Sequence, residues 1–353
     1  MLQPLIDPTV SRQSHGFRPG RCAHDAVLAA QRYVKEGCRV VVDVDLSKFF
    51  DRVNHDILID RLKRRVNDAG VIRLVRAYLS AGIMSSGVVG NRVEGTPQGG
   101  PLSPLLANVL LDEVDRELER RGHRFARYAD DCNVYVRSLK AGERVMVLLK
   151  RCYDKLHLKI NESRSAVGPV FGRKFLWYAF WETRSGEIKP VVSDKALATF
   201  KQRIRQLTRR SGGRSIGEVI ERLRSYVLGW KAYSRLVQTY RRWQQLDEWM
   251  RRRMRGLHLK HWRHGKTIYR ELLNLGAYPQ TARSVAALGR RWWHNSMTAL
   301  HHVLTTAYFD RLGMPVSHNL NFSNRLVRTR MPGGVAGDRS VTLAAPMPIL
   351  AQV

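Results

Sequence analysis

Three aspartates of this 353-residue chain stand where their neighbours and spacing could do chemistry. Asp45 lies at the end of RVVVDVDL (39–46), a β-branched run of the kind that forms a buried strand. Asp130 and Asp131 sit side by side in HRFARYADDCNVYVRS, where short β-type runs predict a hairpin with both acids at its bend. A lone aspartate is usually a cap or a solvated turn residue, and an acidic pair at a bend is first of all a turn. Adjacent carboxylates kept together on apolar strands repel each other, however, and call for a compensating cation. Oxygen ligands alone suit Mg²⁺. Two such ions ~4 Å apart could activate a 3′ hydroxyl and stabilise a leaving pyrophosphate. Asp43 competes with Asp45 for this role, because a period of two puts both on one strand face.

Periodicity shows the elements that must position these acids. Asp56 to Val75 reads as one helix, with Leu58, Leu62, Val66 and Leu74 as its apolar positions. GTPQGGPLSP (95–104) is a Gly/Pro loop that feeds a second helix, Leu105 to about Arg120. There Leu106, Val109, Leu110 and Val114 form one stripe and charges fill the other face. Strand, helix, loop, helix and hairpin make an α+β unit. Near residue 190 the composition changes. Residues 201–300 hold 23 Lys/Arg against 5 Asp/Glu, carry six of the eight tryptophans and are mostly helical in period. From about 316, Pro and Gly return, and 316–353 reads as an irregular, mobile tail.

The whole chain carries 61 Lys/Arg and 30 Asp/Glu, a formal charge of +31, with 44% hydrophobic residues. The core can be sizeable, but such an excess repels itself unless a polyanion neutralises it, and nucleic acid is the fitting polyanion. Tryptophan and tyrosine are too plentiful for a simple basic tail protein. No stretch reaches the 18 apolar residues a membrane span needs, and MLQPLIDPTV has Pro and Asp where a signal peptide needs an apolar run. Cysteines 22, 38, 132 and 152 form no C-x-x-C pair, which fits a reduced, cytoplasmic setting better than a zinc module or a disulfide framework.

In the basic half, LATFKQRIRQLTRR (197–210) reads as an amphipathic helix. Its stripe is Leu197, Phe200, Ile204 and Leu207, and Lys201 and Arg205 are among its cations. Further on, Arg251, Arg252, Arg253, Arg255, Lys260 and Arg263 are interleaved with Trp249 and Trp262. RNA recognition favours that mixture, since arginine pairs with phosphate and flat rings stack on unpaired bases. Core packing is the competing role for Trp243, Trp249 and Trp262. His258, His261 and His264 recur every third residue without a nearby carboxylate or cysteine, a poor zinc set.

Taken in order, these motifs resemble one family. Tyr128-Ala129-Asp130-Asp131 looks like the Y-A-D-D core of reverse transcriptases. DLSKFF (45–50) looks like the first palm motif, and GTPQGGPLSP with Pro97-Gln98-Gly99 like the nucleotide-pocket motif. SHGFRPGRCAHDA (14–26) is similar to the block that group II intron proteins carry before the palm, and YVLGWKAY (226–233) to their maturase-specific domain. The resemblance implies a right-hand polymerase fold: partial fingers and palm over 1–190, then a helical thumb and maturase domain over 191–315. It implies that Asp45, Asp130 and Asp131 hold two Mg²⁺ ions. Phe50 would exclude a 2′-hydroxyl, Gln98 would touch the incoming dNTP, and Gly99 and Gly100 would let the backbone approach it. The implied partners are group II intron RNA, a DNA primer or target, and dNTPs, with RNA copied into DNA during retrohoming and splicing assisted. An idle palm acting as an RNA chaperone, or a remnant, is the alternative.

Departures from the pattern mark where that alternative would arise. The chain starts almost at the 14–26 block, so upstream fingers strands are expected to be missing. Arg164 stands in the nucleotide region where the family usually has Lys, and it cannot readily give up a proton. Trp177 in FLWY replaces the Gly of the primer-grip segment. Neither paired cysteines nor an H-N-H-like histidine cluster occurs near the C-terminus, so no endonuclease domain is expected.

Overall fold

The strand Val40–Val44 (β1) buries Val40, Val42 and Val44 on one face and Val41 on the other, leaving Asp43 half-buried beside Val41. In the computed structural model, which describes residues 2–315 apart from 82, 86, 87, 91–93, 98, 238, 290 and 298, the chain forms two compact units that meet at Ser193 and Asp194. Gln98 and the 316–353 segment lie outside the described residues.

The first unit opens with helices α1 (Leu2–Ile6) and α2 (Ala23–Lys35), then β1. Helices α3 (His55–Lys63) and α4 (Ala69–Ser80), the hairpin β2 (Ile83–Ser85) and β3 (Val88–Gly90), and helix α5 (Ser103–Arg120) follow. The hairpin β4 (Arg124–Tyr128) and β5 (Asp131–Val136), helix α6 (Leu139–Lys155), strand β6 (Ala166–Pro169) and a last hairpin, β7 (Tyr178–Glu182) and β8 (Ile188–Val192), complete it. The main sheet has the order β4-β5-β1-β6, antiparallel throughout. Val40, Val42, Val44, Cys132, Val134 and Val136 join α5 and α6 in the core. Gly142 of α6 permits the close approach, since a Cβ there would lie 2.4 Å from Val167. The opposite face carries Asp43, Asn133 and Tyr135. At its far end, Tyr33 of α2 covers Tyr135, ring to ring at 5.8 Å.

Two expectations are corrected. The single helix expected over 56–75 is two helices, because Asp68 caps α4 by accepting from the backbone N–H of Gly70 and Val71. Leu74, assigned to the apolar stripe, is 70% exposed. Nor do charges simply fill the outer face of α5: Asn108, Asp112 and Asp115 are all buried.

The second unit is built of helices α7 (Asp194–Leu207), α8 (Ile216–Tyr233), α9 (Tyr240–Trp262), α10 (Gly265–Asn274) and α11 (Pro279–Ala287), with short helices α12 (Trp292–Asn295), α13 (Ala299–Val303) and α14 (Thr306–Arg311). A capping box of Ser215 and Glu218 starts α8. Phe200 packs on Trp230 at 4.3 Å, and Trp230 meets Trp243 edge-on at 5.2 Å, so Trp243 belongs to the core. No helix among the described residues is long and apolar enough to cross a membrane.

Candidate active site

The β4–β5 hairpin closes through a two-residue turn. Tyr128 and Asp131 are the last paired residues, and Ala129 and Asp130 form the bend, with Ala129 left-handed at φ +57°. The β1–β5 register pairs Val44 with Cys132. One step further along both strands, Asp45 stands beside Asp131, with Asp130 in the adjoining turn. Asp45 lies just past its strand. Its N–H donates to Ser165 Oγ at 3.0 Å, and its carbonyl accepts from the N–H of Asn161 at 2.8 Å. The 161–165 loop therefore fixes where its carboxylate stands. Arg164 Nη1 lies 3.8 Å from that carboxylate.

Burial first, and repulsion among the carboxylates second, raise the proton affinities of these acids. Asp131 keeps an exposed edge, yet the protein around its carboxyl, then Asp130, Asp43 and Asp45, pushes it up to about 7. Burial and then Asp45 push Asp130 up as well. Asp43 is the fourth acid of this face. Burial drives it up to about 6, while Arg173 and Lys174 pull it back. With the Asn133 amide turned nitrogen-first, Asn133 donates to Asp43 at 2.9 Å, and Arg173 reaches it at 4.0 Å. Asp43 is thus engaged by Asn133 and Arg173, whereas Lys174 favours the ionised form of both Asp43 and Asp131.

Among the described residues, no three His, Cys, Asp or Glu side chains converge closely enough to hold a metal by themselves. The expected trio is gathered at one end of the sheet without being a finished cage. Such a donor set fits a hard divalent cation that completes its shell with substrate phosphate and water oxygens.

The 95–104 loop is fastened behind Phe50. Thr96 N–H donates to the Phe50 carbonyl at 2.7 Å, and Gly95 N–H to Val53 at 2.8 Å. Only glycine fits position 95: φ is +88°, and a Cβ would stand 2.9 Å from the carbonyl oxygens of Phe50 and Asp51. The half-buried Phe50 ring packs edge-on against Phe49 at 5.0 Å. Gly99 is exposed. At Gly100 the missing Cβ makes room for the Tyr78 hydroxyl.

At FLWY, Phe175 and Tyr178 exchange both backbone hydrogen bonds, and the two residues between them are left-handed: Leu176 at φ +50° and Trp177 at φ +74°. A glycine-like turn is thus built with a tryptophan in it. Trp177→Gly is expected to be more stable than Trp177→Ala by about 1 kcal/mol, although both lose the ring, because only glycine relieves the left-handed strain. Urea unfolding of both variants measures the difference, and equal midpoints would refute the strain.

In the second unit the expected RNA-facing cations divide. Arg205 and Arg263 are exposed, and Lys201, Arg252, Arg253 and Lys260 are partly so. Arg251 and Arg255 are buried, which corrects their assignment to a phosphate-facing surface. Arg255 Nε donates to the Leu304 carbonyl at 2.9 Å. Arg253 Nε donates to Thr208 Oγ1 at 2.6 Å. Several cations lie over tryptophan rings: Arg252 over Trp293 at 3.7 Å, Arg210 over Trp292 at 4.3 Å, and Arg205 over Trp249 at 5.7 Å.

Sequence reasoning missed Gly16, Asn108, Asp115 and Arg127, which surround the acidic turn from behind. The one available signal was that Asn108, Asp112 and Asp115 recur at helical spacing beside the apolar stripe of α5.

An antiparallel sheet with acids gathered at one end of its central strands defines the palm of a template-copying polymerase. Residues 1–178 match the family model for reverse transcriptase (RNA-dependent DNA polymerase), and residues 197–275 match that for the group II intron maturase-specific domain. The chain belongs to the reverse transcriptase family, and the segment similar to the group II intron maturase-specific domain follows in its sequence. It is 36% identical over 116 residues to the group II intron-encoded protein LtrA of Lactococcus lactis, covering 33% of this chain and 19% of that one. It is 32% identical over 185 residues to the retron Mx65 reverse transcriptase of Myxococcus xanthus, covering 47% and 41%. The match thus spans well under two thirds of either relative. Among solved structures, telomerase from Candida albicans with a fragment of telomeric RNA aligns over 88% of this chain and 55% of its own, at 11% identity and a TM-score of 0.45.

Proposed function

We propose that the chain is an RNA-directed DNA polymerase and splicing maturase that binds group II intron RNA and copies it into DNA during retrohoming. The observation that carries this reading is the register that sets Asp45 beside Asp131, with Asp130 in the adjoining turn. These three residues would hold Mg²⁺, two ions by the resemblance, which when bound supply Lewis-acid activation and neutralise developing phosphate charge. The chain's own part is positional. The 161–165 loop fixes Asp45, the hairpin fixes the acidic pair, and Phe50, braced by Thr96, forms the floor under the sugar of an incoming dNTP. In the second unit, exposed arginines and half-exposed tryptophans suit RNA phosphates and unpaired bases. The free state of Cys22, Cys38, Cys132 and Cys152 supports a reducing, cytoplasmic setting.

The test is extension of a DNA primer on an RNA template with Mg²⁺. Phe50→Val should raise ribonucleotide incorporation roughly 10–100-fold relative to dNTPs, since the 2′-hydroxyl gains room. An unchanged ratio returns Phe50 to ordinary packing. A second reading, an RNA chaperone with an idle palm, is favoured by Arg164 lying against Asp45 and by the tryptophan in the FLWY turn. RNA binding without primer extension would select it.

A further inference from the structure

Behind the acidic turn lies a fully buried charge pair. The Arg127 side chain is 1% exposed, as is that of its partner Asp115 on α5. Arg127 Nε and Nη2 donate to the two Asp115 oxygens at 2.6–3.0 Å. Its Nη1 donates to the Asn108 side-chain carbonyl at 3.0 Å and to the backbone carbonyl of Ala129 at 2.9 Å. The Asn108 amide in turn donates to the Gly16 carbonyl at 2.9 Å. Gly16 presses on the turn from the other flank, where a Cβ would stand 2.2 Å from Ala129 N. The backbone before it runs along β4: Arg127 N–H donates to Gln13 and His15 N–H to Arg127, at 3.0 and 2.8 Å.

Stability does not explain this arrangement. Two apolar side chains would fill the same space without the cost of desolvating two charges. Apolar groups have no direction, however, and the turn needs one. Ala129 holds a left-handed conformation that non-glycine residues resist, and Asp130 and Asp131 point where that conformation sends them. The Arg127 fork ties the Ala129 carbonyl to α5, and Asn108 ties the same fork to the 13–16 segment.

We propose that Arg127, oriented by Asp115 and Asn108, is a positioning residue: a buried clamp that sets the geometry of the Asp130–Asp131 turn without touching substrate. The part concerning rate rests on the polymerase reading above. The part concerning geometry does not.

The experiment compares the full chain with the double variant Arg127→Met/Asp115→Leu, with Arg127→Met alone and with Asn108→Ala. Thermal melting, amide hydrogen exchange over 126–133 and steady-state primer extension are read for each. Arg127→Met alone should melt far below the double variant, because it strands a buried carboxylate. The double variant should melt near the parent, yet its amides at 129–131 should exchange at least about tenfold faster. Its kcat should fall about tenfold or more, with KM for primer–template within about twofold, as expected of misplaced rather than missing groups. Asn108→Ala leaves the ion pair intact and keeps the question open to test should the double variant not fold. It should show the same split, smaller. A folded double variant, or a folded Asn108→Ala, with parental exchange and parental kcat overturns the clamp. Should the parent itself not extend primers, the polymerase reading fails, and the exchange data alone decide the clamp.

Discussion

Asp131→Asn should abolish RNA-templated primer extension and, at the same time, make the metal-free protein harder to melt. The first effect follows from losing a charge that would hold the divalent cation. Charge stabilisation of several kcal/mol corresponds to roughly a thousandfold or more in rate. The second follows from linkage. The Asp131 carboxyl sits at about 7 in the folded chain, against an ordinary 3.8. Between those values the folded state holds a proton that the unfolded state has released, so folding stability falls as pH rises through this window. Below about 4 both states are protonated and there is no penalty. Above about 7 the penalty is complete. Asparagine carries no charge and escapes it. The melting temperatures of variant and parent should therefore agree near pH 4, diverge through pH 7 and stay apart at pH 8 with chelator present. Solvent reaching the exposed edge of Asp131 screens the penalty. A gap of at least about 1 kcal/mol, or roughly 2–4 °C for a unit of this size, is still expected. Added Mg²⁺ should narrow the gap, because a cation that binds only the folded parent stabilises only the parent. Parental extension by the variant would remove Asp131 from the site, and coincident melting curves at pH 8 would remove the repulsion described here.

What the sequence revealed of this site was what local pattern controls. The alternation in RVVVDVDL marked the buried face of β1 and put Asp43 and Asp45 together on the other. β-type runs on both sides of Asp130 and Asp131 marked a hairpin. The Gly/Pro composition of 95–104 marked a loop that must bend sharply, as Gly95 does. What stayed hidden was what only the third dimension joins. Arg127 is separated from Asp115 by a helix end and a turn, and arginine is so seldom buried that nothing in its own strand announces it. The break between α3 and α4 was missed for a different reason. The apolar spacing continues across it, and only Asp68, a capping residue just before Ala69, marks the break. The arginine cluster of α9 is not a single surface, since Arg251 and Arg255 are buried. Arg251 and Arg255 are four apart and lie beside Met250 and Met254, both buried, so helical period alone turns these two inward. Neighbouring Arg252 and Arg253 are turned only partly in.

That division decides how RNA binding should respond to charge removal. Arg205, Arg209, Arg210 and Arg263 of the second unit are exposed. Replacing all four with Gln should leave folding nearly intact and weaken binding to structured RNA at moderate salt. Every arginine–phosphate pairing removed should flatten the log–log dependence of affinity on salt by roughly 0.7–0.9, so the fourfold variant should change the slope by up to about 3.6. Arg210 and Arg205 lie over the Trp292 and Trp249 rings and are exposed, so a phosphate could reach their guanidinium groups. Arg255→Gln should behave in the opposite way. Its Nε bond to Leu304 is buried, so the loss should appear as about 2 kcal/mol of folding stability, with the salt slope of the folded fraction unchanged. Asp131→Asn should bind RNA as tightly as the parent or slightly tighter, because it removes a negative charge and no cation. The measurement is a filter-binding series from low to high salt for the three variants, with circular dichroism to confirm folding. A parental slope in the folded fourfold variant would place the phosphate-pairing groups elsewhere than on these arginines. A flattened slope in Arg255→Gln would mean that the buried arginine opens to RNA when RNA arrives, and that its contact with Leu304 is not kept in the bound state.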